Sequence, residues 1–315
     1  MTVVVRARRN AWIVAVAVSA VAGPFIGWDQ AWAQNRGVYP LGMSATNSGS
    51  TAEPGFTYAN LFLFYSRSES RGPDGELLAT GSNSVLMDMN SLVWVSGKKI
   101  LGGARYSASI TVPIANNSLA SDSAGAISGG GGLADSYYQP VILGWRTERV
   151  GIRAIYGFLA PTGRFEAGAS DNVGSGYWTH VVASGQTVYL TKDKRTAISA
   201  FQMYEFHSTQ DGTGVQPGQN IDIDYSVTRA FPLQHHAGLQ VGIVGYEQRQ
   251  TTGKRGPGIT LQQADARYAV NALGFTGNLS LPTRGVGLGL KYYREFSNRS
   301  TFQGYSLQIS GSVAF

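Results

Sequence analysis

The sequence predicts an all-β fold: a transmembrane antiparallel up-and-down β-barrel of about 12 strands, with long outer loops and short periplasmic turns. Three observations predict it. Segments with strict two-residue periodicity recur along most of the chain, and the connections between them alternate between long and short. The chain also ends on a strand, YSLQISGSVAF, that is greasy on one face and small or polar on the other. Successive side chains of a strand point to opposite faces, so such a segment describes a two-faced wall. A strand of about 9–11 residues also crosses a bilayer at a tilt.

The chain opens with MTVVVRARRN, in which Arg6, Arg8 and Arg9 form a basic region. An apolar run follows from Ala11 to Gly27, and Ala31-Trp32-Ala33 has the small-x-small pattern of a signal-peptidase site. An uncleaved anchoring helix is the competing reading, but Gly23-Pro24 interrupts the run. Residues 1–33 are therefore expected to be a cleaved secretory signal peptide. Residues 34–55, which include the serine-rich SATNSGST, are expected to be a periplasmic or lumenal segment, and 56–315 the barrel.

The bulk numbers agree with an exported barrel. There is no cysteine, which excludes disulfides, thiol catalysis and thiolate metal sites. Only 14% of residues are charged, while 41 are glycine and 11% are aromatic. The net charge of +6 is mild and comes without a basic block, so nucleic acid is not expected as a partner.

Twelve two-faced segments follow the N-terminal region, at about 56–66, 84–96, 100–112, 136–146, 150–160, 176–190, 195–206, 219–230, 237–249, 266–281, 285–296 and 303–315. In IDIDYSVT, Ile221, Ile223, Tyr225 and Val227 oppose Asp222, Asp224, Ser226 and Thr228. In GVGLGLKYYREF, the Val286-to-Phe296 face opposes one carrying Lys291, Tyr293 and Glu295. No segment reads as an amphipathic helix.

The connections discriminate further. RSESRGPDGELLATGSN is long and GKK short; Pro113 to Asp135 is long and TER short. PTGRFEAGASDNVGS then gives way to KDK, HSTQDGTGVQPG to FPLQHH, and TTGKRGPGITLQQ to PTR. A barrel with both termini on the periplasmic side requires that order, whereas a Greek-key sandwich does not.

Several motifs then carry a family resemblance. GVYPLG, EPGFTYANLFLFY, GGLADSYYQPVILGW, APTGRF, GSGYWT, DIDYSV and GYEQRQTT occur in that order. From about Gly37 to Phe315 the chain resembles the SphA-like family, the meta-pathway phenol-degradation family of outer-membrane transporter proteins. The resemblance implies a channel-type protein of the Gram-negative outer membrane, associated with catabolism of aromatic or other hydrophobic compounds. The terminal Phe315 is similar to the assembly signal that the barrel-insertion machinery reads.

Candidate site residues follow from the inward faces. Arg105, Asp222, Asp224, Lys291 and Glu295 are candidates to line the lumen and set selectivity through a transverse field. Aromatics near strand ends (Tyr58, Tyr65, Trp94, Tyr137, Trp145, Tyr156, Trp178, Tyr189, Tyr292 and Phe315) are expected in interfacial girdles. Catalysis is not expected. Lipid-face hydrolases place His and Ser two apart, and no H-x-S occurs among His180, His207, His235 and His236. Asp122, Asp135, Asp171 and Asp211 fall in predicted outer loops without EF-hand spacing, and the Gly129–Gly132 run lacks a P-loop context. No cofactor or metal is expected.

The functional expectation is a passive channel of the outer membrane for small hydrophobic or aromatic compounds. Its expected partners are outer-membrane lipid, the barrel-assembly machinery acting through the C-terminal strand, and the solutes themselves. The alternatives are a structural or loop-binding barrel with a plugged lumen and, less favoured, an outer-membrane lipid hydrolase.

Overall fold

The structure, a computed structural model, describes residues 37–121, 125–169 and 171–315, with the side chains of 82, 83 and 117–129 left out. The expected signal peptide and Asp122 lie outside the described residues. The period-two segments form antiparallel strands: β1 Gly55–Arg71, β2 Leu77–Ile100, β3 Ala104–Ser121, β4 Gly125–Leu133, β5 Ser136–Arg146, β6 Val150–Ala160 and β7 Thr179–Tyr189. The second half holds β8 Thr196–His207, β9 Asn220–Pro232, β10 Gly238–Gln250, β11 Ala269–Leu281, β12 Val286–Glu295 and β13 Thr301–Ala314.

Twelve of these close a ring. Neighbours in sequence pair from β5 to β13, with a register shift between β5 and β6 at Tyr138–Val141, β3 pairs with both β2 and β5, and β13 pairs with β1. The seam runs from Thr57 opposite Ala314 to Arg71 opposite Thr301, so neither first nor last strand offers a free edge. The turns at Lys192–Arg195, Gln234–His236 and Pro282–Arg284 gather at the periplasmic end; His235 and His236 lie there with positive φ.

Two predicted loops are strands instead. The first long connection shrinks to residues 72–76, because β1 and β2 continue upward and stay paired to Arg71 and Leu77. Much of Pro113–Asp135 is likewise a hairpin of β3 and β4, with β4 standing outside the ring. Serine, asparagine and glycine dominate these stretches, and their lack of apolar alternation hid a ladder that stands above the lipid band. The loop between β10 and β11 carries a short helix, α1 Leu261–Asp265, with Thr260 and Gln263 forming a reciprocal capping box.

The outward face is mostly apolar, with Leu288, Leu290, Ile309 and Val313 exposed at the β12–β13 seam. Tyr58, Trp94, Tyr156, Trp178, Tyr292 and Phe315 are exposed aromatics. Three of the expected girdle residues turn inward instead. Tyr65 reaches Glu295, Tyr189 lies against Ser50, and Tyr137 packs on the interior cluster around Tyr39. His180 sits on the outward face, its Nδ1 3.0 Å from the Tyr156 hydroxyl.

Candidate functional site

The lumen is occupied by the chain's own N-terminal segment. Gly37 lies at the outer end, where its N–H donates to the Tyr268 hydroxyl at 2.9 Å. Glu53 lies at the periplasmic end, where its carboxylate takes the Arg105 guanidinium at 3.1 Å. Between these points the segment follows the inward faces of β5 to β13.

Polar anchors hold the segment by its backbone. The buried Glu205 carboxylate accepts the amides of Val38 and Tyr39 at 2.9 and 2.8 Å. Asp224 accepts from Gly42 N at 2.9 Å, Ser44 N at 3.1 Å and the Tyr39 hydroxyl at 2.6 Å. Burial first, then the Asp224 carboxylate, raises the Tyr39 hydroxyl well above the ordinary tyrosine value, so it stays a donor. Lys291 Nζ donates to the carbonyls of Gly42 at 3.0 Å and Met43 at 2.6 Å, and the Tyr293 hydroxyl also donates to Gly42 O. Ser226, Gln308 and Arg153 donate to the carbonyls of Ala45, Leu41 and Ser48. Hydrogen bonds to charged groups contribute about 1.5–3 kcal/mol each, so the clamp on residues 38–44 is strong.

Apolar packing completes it. Tyr39 stacks on Phe201 with ring centroids 5.5 Å apart, inside a buried cluster that includes Ile142, Ile155, Val181 and Met203. A second cluster gathers Ala45 with Val244, Tyr246, Val270 and Tyr293, and Leu41 packs against both. Parts of the inward face are therefore apolar, where a wet lumen would have made them polar. They are the core on which the segment folds.

Glycines let the segment lie backbone against wall. A Cβ on Gly49 would stand 2.0 Å from Gly151 O, and one on Gly185 would stand 2.2 Å from Ser48 O. Gly42 has φ +82°, and a Cβ there would fall 2.4 Å from the Tyr293 ring, so no other residue fits.

The structure places all five candidate site residues on the inward face. Asp224 and Lys291 grip the segment directly, and Arg105 pairs with its far end. Asp222 lies beside this clamp, accepting from Gln248 Nε2 at 2.6 Å. Glu295 organises the wall, accepting from the Tyr65 and Tyr246 hydroxyls, Asn298 Nδ2 and Gly304 N. Sequence reasoning missed Glu205, Tyr293, Ser226 and Arg153. Tyr293 and Ser226 were legible as inward positions of their strands, but nothing local marks any of the four as an anchor.

His207 is the histidine that comes nearest to a catalytic arrangement. Its Nδ1 meets Thr179 Oγ1 at 2.8 Å, and its Nε2 lies 2.9 Å from Asn220 Oδ1 and 3.4 Å from Glu205. All four side chains are buried, and Glu205 is already committed to the segment. The cluster ties the tops of β7, β8 and β9 together.

Cavities open toward both ends of the barrel. One of about 170 Å³ lies at the outer end between β1–β4 and the 161–178 loop, lined by the apolar Val85, Met87, Ala115 and Val173 together with Arg67, Asn116 and Asn172. The other, about 530 Å³, lies at the periplasmic mouth, where Lys99, Arg105, Arg146 and Lys194 outnumber Glu53 and Glu148.

Comparison with known proteins follows the same architecture. An outer membrane channel from Pseudomonas putida F1 is similar in structure, with a TM-score of 0.70 at 13% identity over 85% of this chain and 98% of that one. The β domain of the Bordetella autotransporter BrkA gives a TM-score of 0.50 at 11% identity, covering 84% of this chain and 100% of that one. No curated relative matches the sequence. The family described as "Putative MetA-pathway of phenol degradation" matches residues 66–310, which span nearly the whole barrel, and the chain, an outer-membrane β-barrel with 12 strands in its ring, belongs to it.

Proposed function

We propose that this protein is a passive channel of the Gram-negative outer membrane for small hydrophobic or aromatic solutes, with residues 37–53 as a plug that must shift for passage. The observation that carries this reading is the mode of attachment. The segment is tied to the wall through individually reversible hydrogen bonds and through small contacts at glycines, with cavities left at both ends. A solute arriving from outside first meets the outer cavity with its apolar walls, which fits an aromatic or aliphatic molecule better than a sugar. The family's description, which names phenol degradation, supports the same class of solute.

The filled lumen favours a second reading, a structural barrel that never conducts. Planar-bilayer recording on the refolded protein separates the two. The channel reading expects small or rare openings for the full chain, modulated by phenol or benzoate, and large steady conductance once residues 37–53 are deleted. A full chain that stays silent in bilayers and excludes radiolabelled phenol from liposomes would leave the structural reading.

A further inference from the structure

Through the hydrocarbon band the outward face of a membrane barrel is apolar, because an unmatched polar group there has no water to turn to. Two places break that rule: Ser184, Gln186 and Gln202 on β7 and β8, which carry no charged group, and a cluster on β1 and β2 that contains an acid. Asn60, Asp88 and Asn90 share the outward face with the exposed Phe62, Leu86, Leu92 and Trp94. Their depth follows from the register. Asp88 stands opposite Phe62, and Phe62 opposite Ile309, while Trp94 and Phe315 lie six positions further down their strands. At about 3.3 Å per residue and a tilt of about 45°, this puts Asp88 roughly 14 Å above the periplasmic aromatics, near mid-membrane.

The cluster is bonded within itself, but incompletely. Asn60 Nδ2 donates to Asp88 Oδ1 at 2.5 Å and to Asn90 Oδ1 at 3.3 Å. Asn90 Nδ2 donates to Asp88 Oδ2 at 3.3 Å, and the Tyr58 hydroxyl donates to Asn90 Oδ1 at 2.5 Å. An amide group has two N–H donors and one carbonyl acceptor. Asn60 therefore spends both donors while its Oδ1 receives none from the described residues, and Asn90 retains a second N–H. Each copy thus carries one spare donor on β2 and one spare acceptor on β1, both facing lipid.

A two-fold axis along the membrane normal matches them reciprocally, setting Asn90 of one copy on Asn60 of the other in both directions. Such self-complementarity is the signature of an isologous interface. The wall beside Asn60 is also low, because its β13 neighbour is Gly311, above whose absent Cβ only Leu288 comes within contact, at 3.9 Å. Small residues at that position let two walls approach, as they do in other membrane interfaces. We propose that this patch is the contact face of a homodimer, in which β1–β2 of one barrel docks against β1–β2 of a second copy inside the outer membrane.

The absence of cysteine makes the test clean. Leu92→Cys places a single thiol on the apolar rim of the patch, outside its hydrogen bonds, and Val227→Cys places one on β9 across the ring. Both full-length variants are oxidised in native outer membranes. The Leu92→Cys dimer is expected about tenfold above the Val227→Cys background, and to fall to that background when Asp88, Asn60 and Asn90 are all changed to Leu. Leucine on a lipid face does not impede insertion, and heat-modifiable migration checks that the triple variant folds. Should it fail to fold, Asp88→Asn with Asn60→Leu serves in its place. Light scattering of the unmodified protein in mild detergent is expected to give the mass of two chains. A monomeric mass with equal crosslinking at both positions overturns the proposal. So does a Leu92→Cys dimer that survives removal of the polar cluster, which would mean that the cluster does not hold the two copies together.

Discussion

Asp224 and Lys291 hold the two ends of one residue: the carboxylate of Asp224 takes the Gly42 N–H, and the ammonium of Lys291 takes the Gly42 carbonyl. The pair therefore fixes the lumenal segment at Gly42 through opposite charges placed three strands apart in the ring. Asp224→Asn and Lys291→Met each remove one side of the clamp while leaving the barrel ladder intact. Each is expected to raise the mean bilayer conductance and the protease sensitivity of residues 37–53, with heat-modifiable migration unchanged. Because both grip the same residue, their effects on plug release should be coupled by about 1–3 kcal/mol in a double-mutant cycle. Strict additivity would mean that the two residues do not act on one segment.

Gly185 tests the steric half of the attachment. Its absent side chain leaves room for Ser48 O, 2.2 Å from where a Cβ would stand. Gly185→Val overpacks that contact, at a cost of about 1–3 kcal/mol that the mobile partner can escape by leaving. We expect the segment to be displaced below Ser44 while the Asp224 clamp persists, so conductance rises less than in Asp224→Asn. The same substitution made in a chain lacking 37–53 should leave thermal stability unchanged. A loss of stability there would show that Gly185 serves the barrel wall itself.

The periplasmic mouth predicts charge selectivity. Lys99, Arg105, Arg146 and Lys194 face a cavity that holds only Glu53 and Glu148 as counter-charges. Reversal potentials across a salt gradient should therefore favour anions, and Lys99→Glu with Arg146→Glu should shift them toward cations. The shift should be large at 0.1 M salt and small at 1 M, because the screening length falls from about 10 Å to about 3 Å. A shift indifferent to salt would place the selective charges elsewhere.

How far the fold was legible follows from which physics each part obeys. The lipid-crossing strands announce themselves because lipid demands an apolar residue at every second position, as in the Val286-to-Glu295 and Thr301-to-Ala314 strands. Above the lipid that demand lapses, which is why the paired stretches 67–71 and 77–83 and the β3–β4 hairpin read as loops. The lumen is harder still. Asp224 and Lys291 were legible as inward charges, yet nothing in their neighbourhood reveals that their partners are Gly42 and Met43, about 180 and 250 positions away. The apolar inward residues Ile155, Val181 and Phe201 were the available clue, since a water-filled lumen gives no reason to bury them.

Phe315 closes the seam and gives a last prediction. Its backbone exchanges hydrogen bonds with Phe56, N to O at 3.0 Å and O to N at 3.1 Å, and the two rings lie nearly parallel with centroids 6.3 Å apart. Both bonds are main-chain, so Phe315→Ala keeps them and deletes only the ring, whose stacking contributes about 0.5–1.5 kcal/mol. Refolded in detergent, the variant should melt within a few degrees of the unmodified protein. In cells, if the terminal ring is read during assembly, the amount of heat-modifiable barrel in the outer membrane should fall several-fold more than that stability loss accounts for. Equal losses in cells and in detergent would assign Phe315 to the seam alone. A large cellular deficit with a near-normal melting temperature would assign its ring to recognition by the assembly machinery.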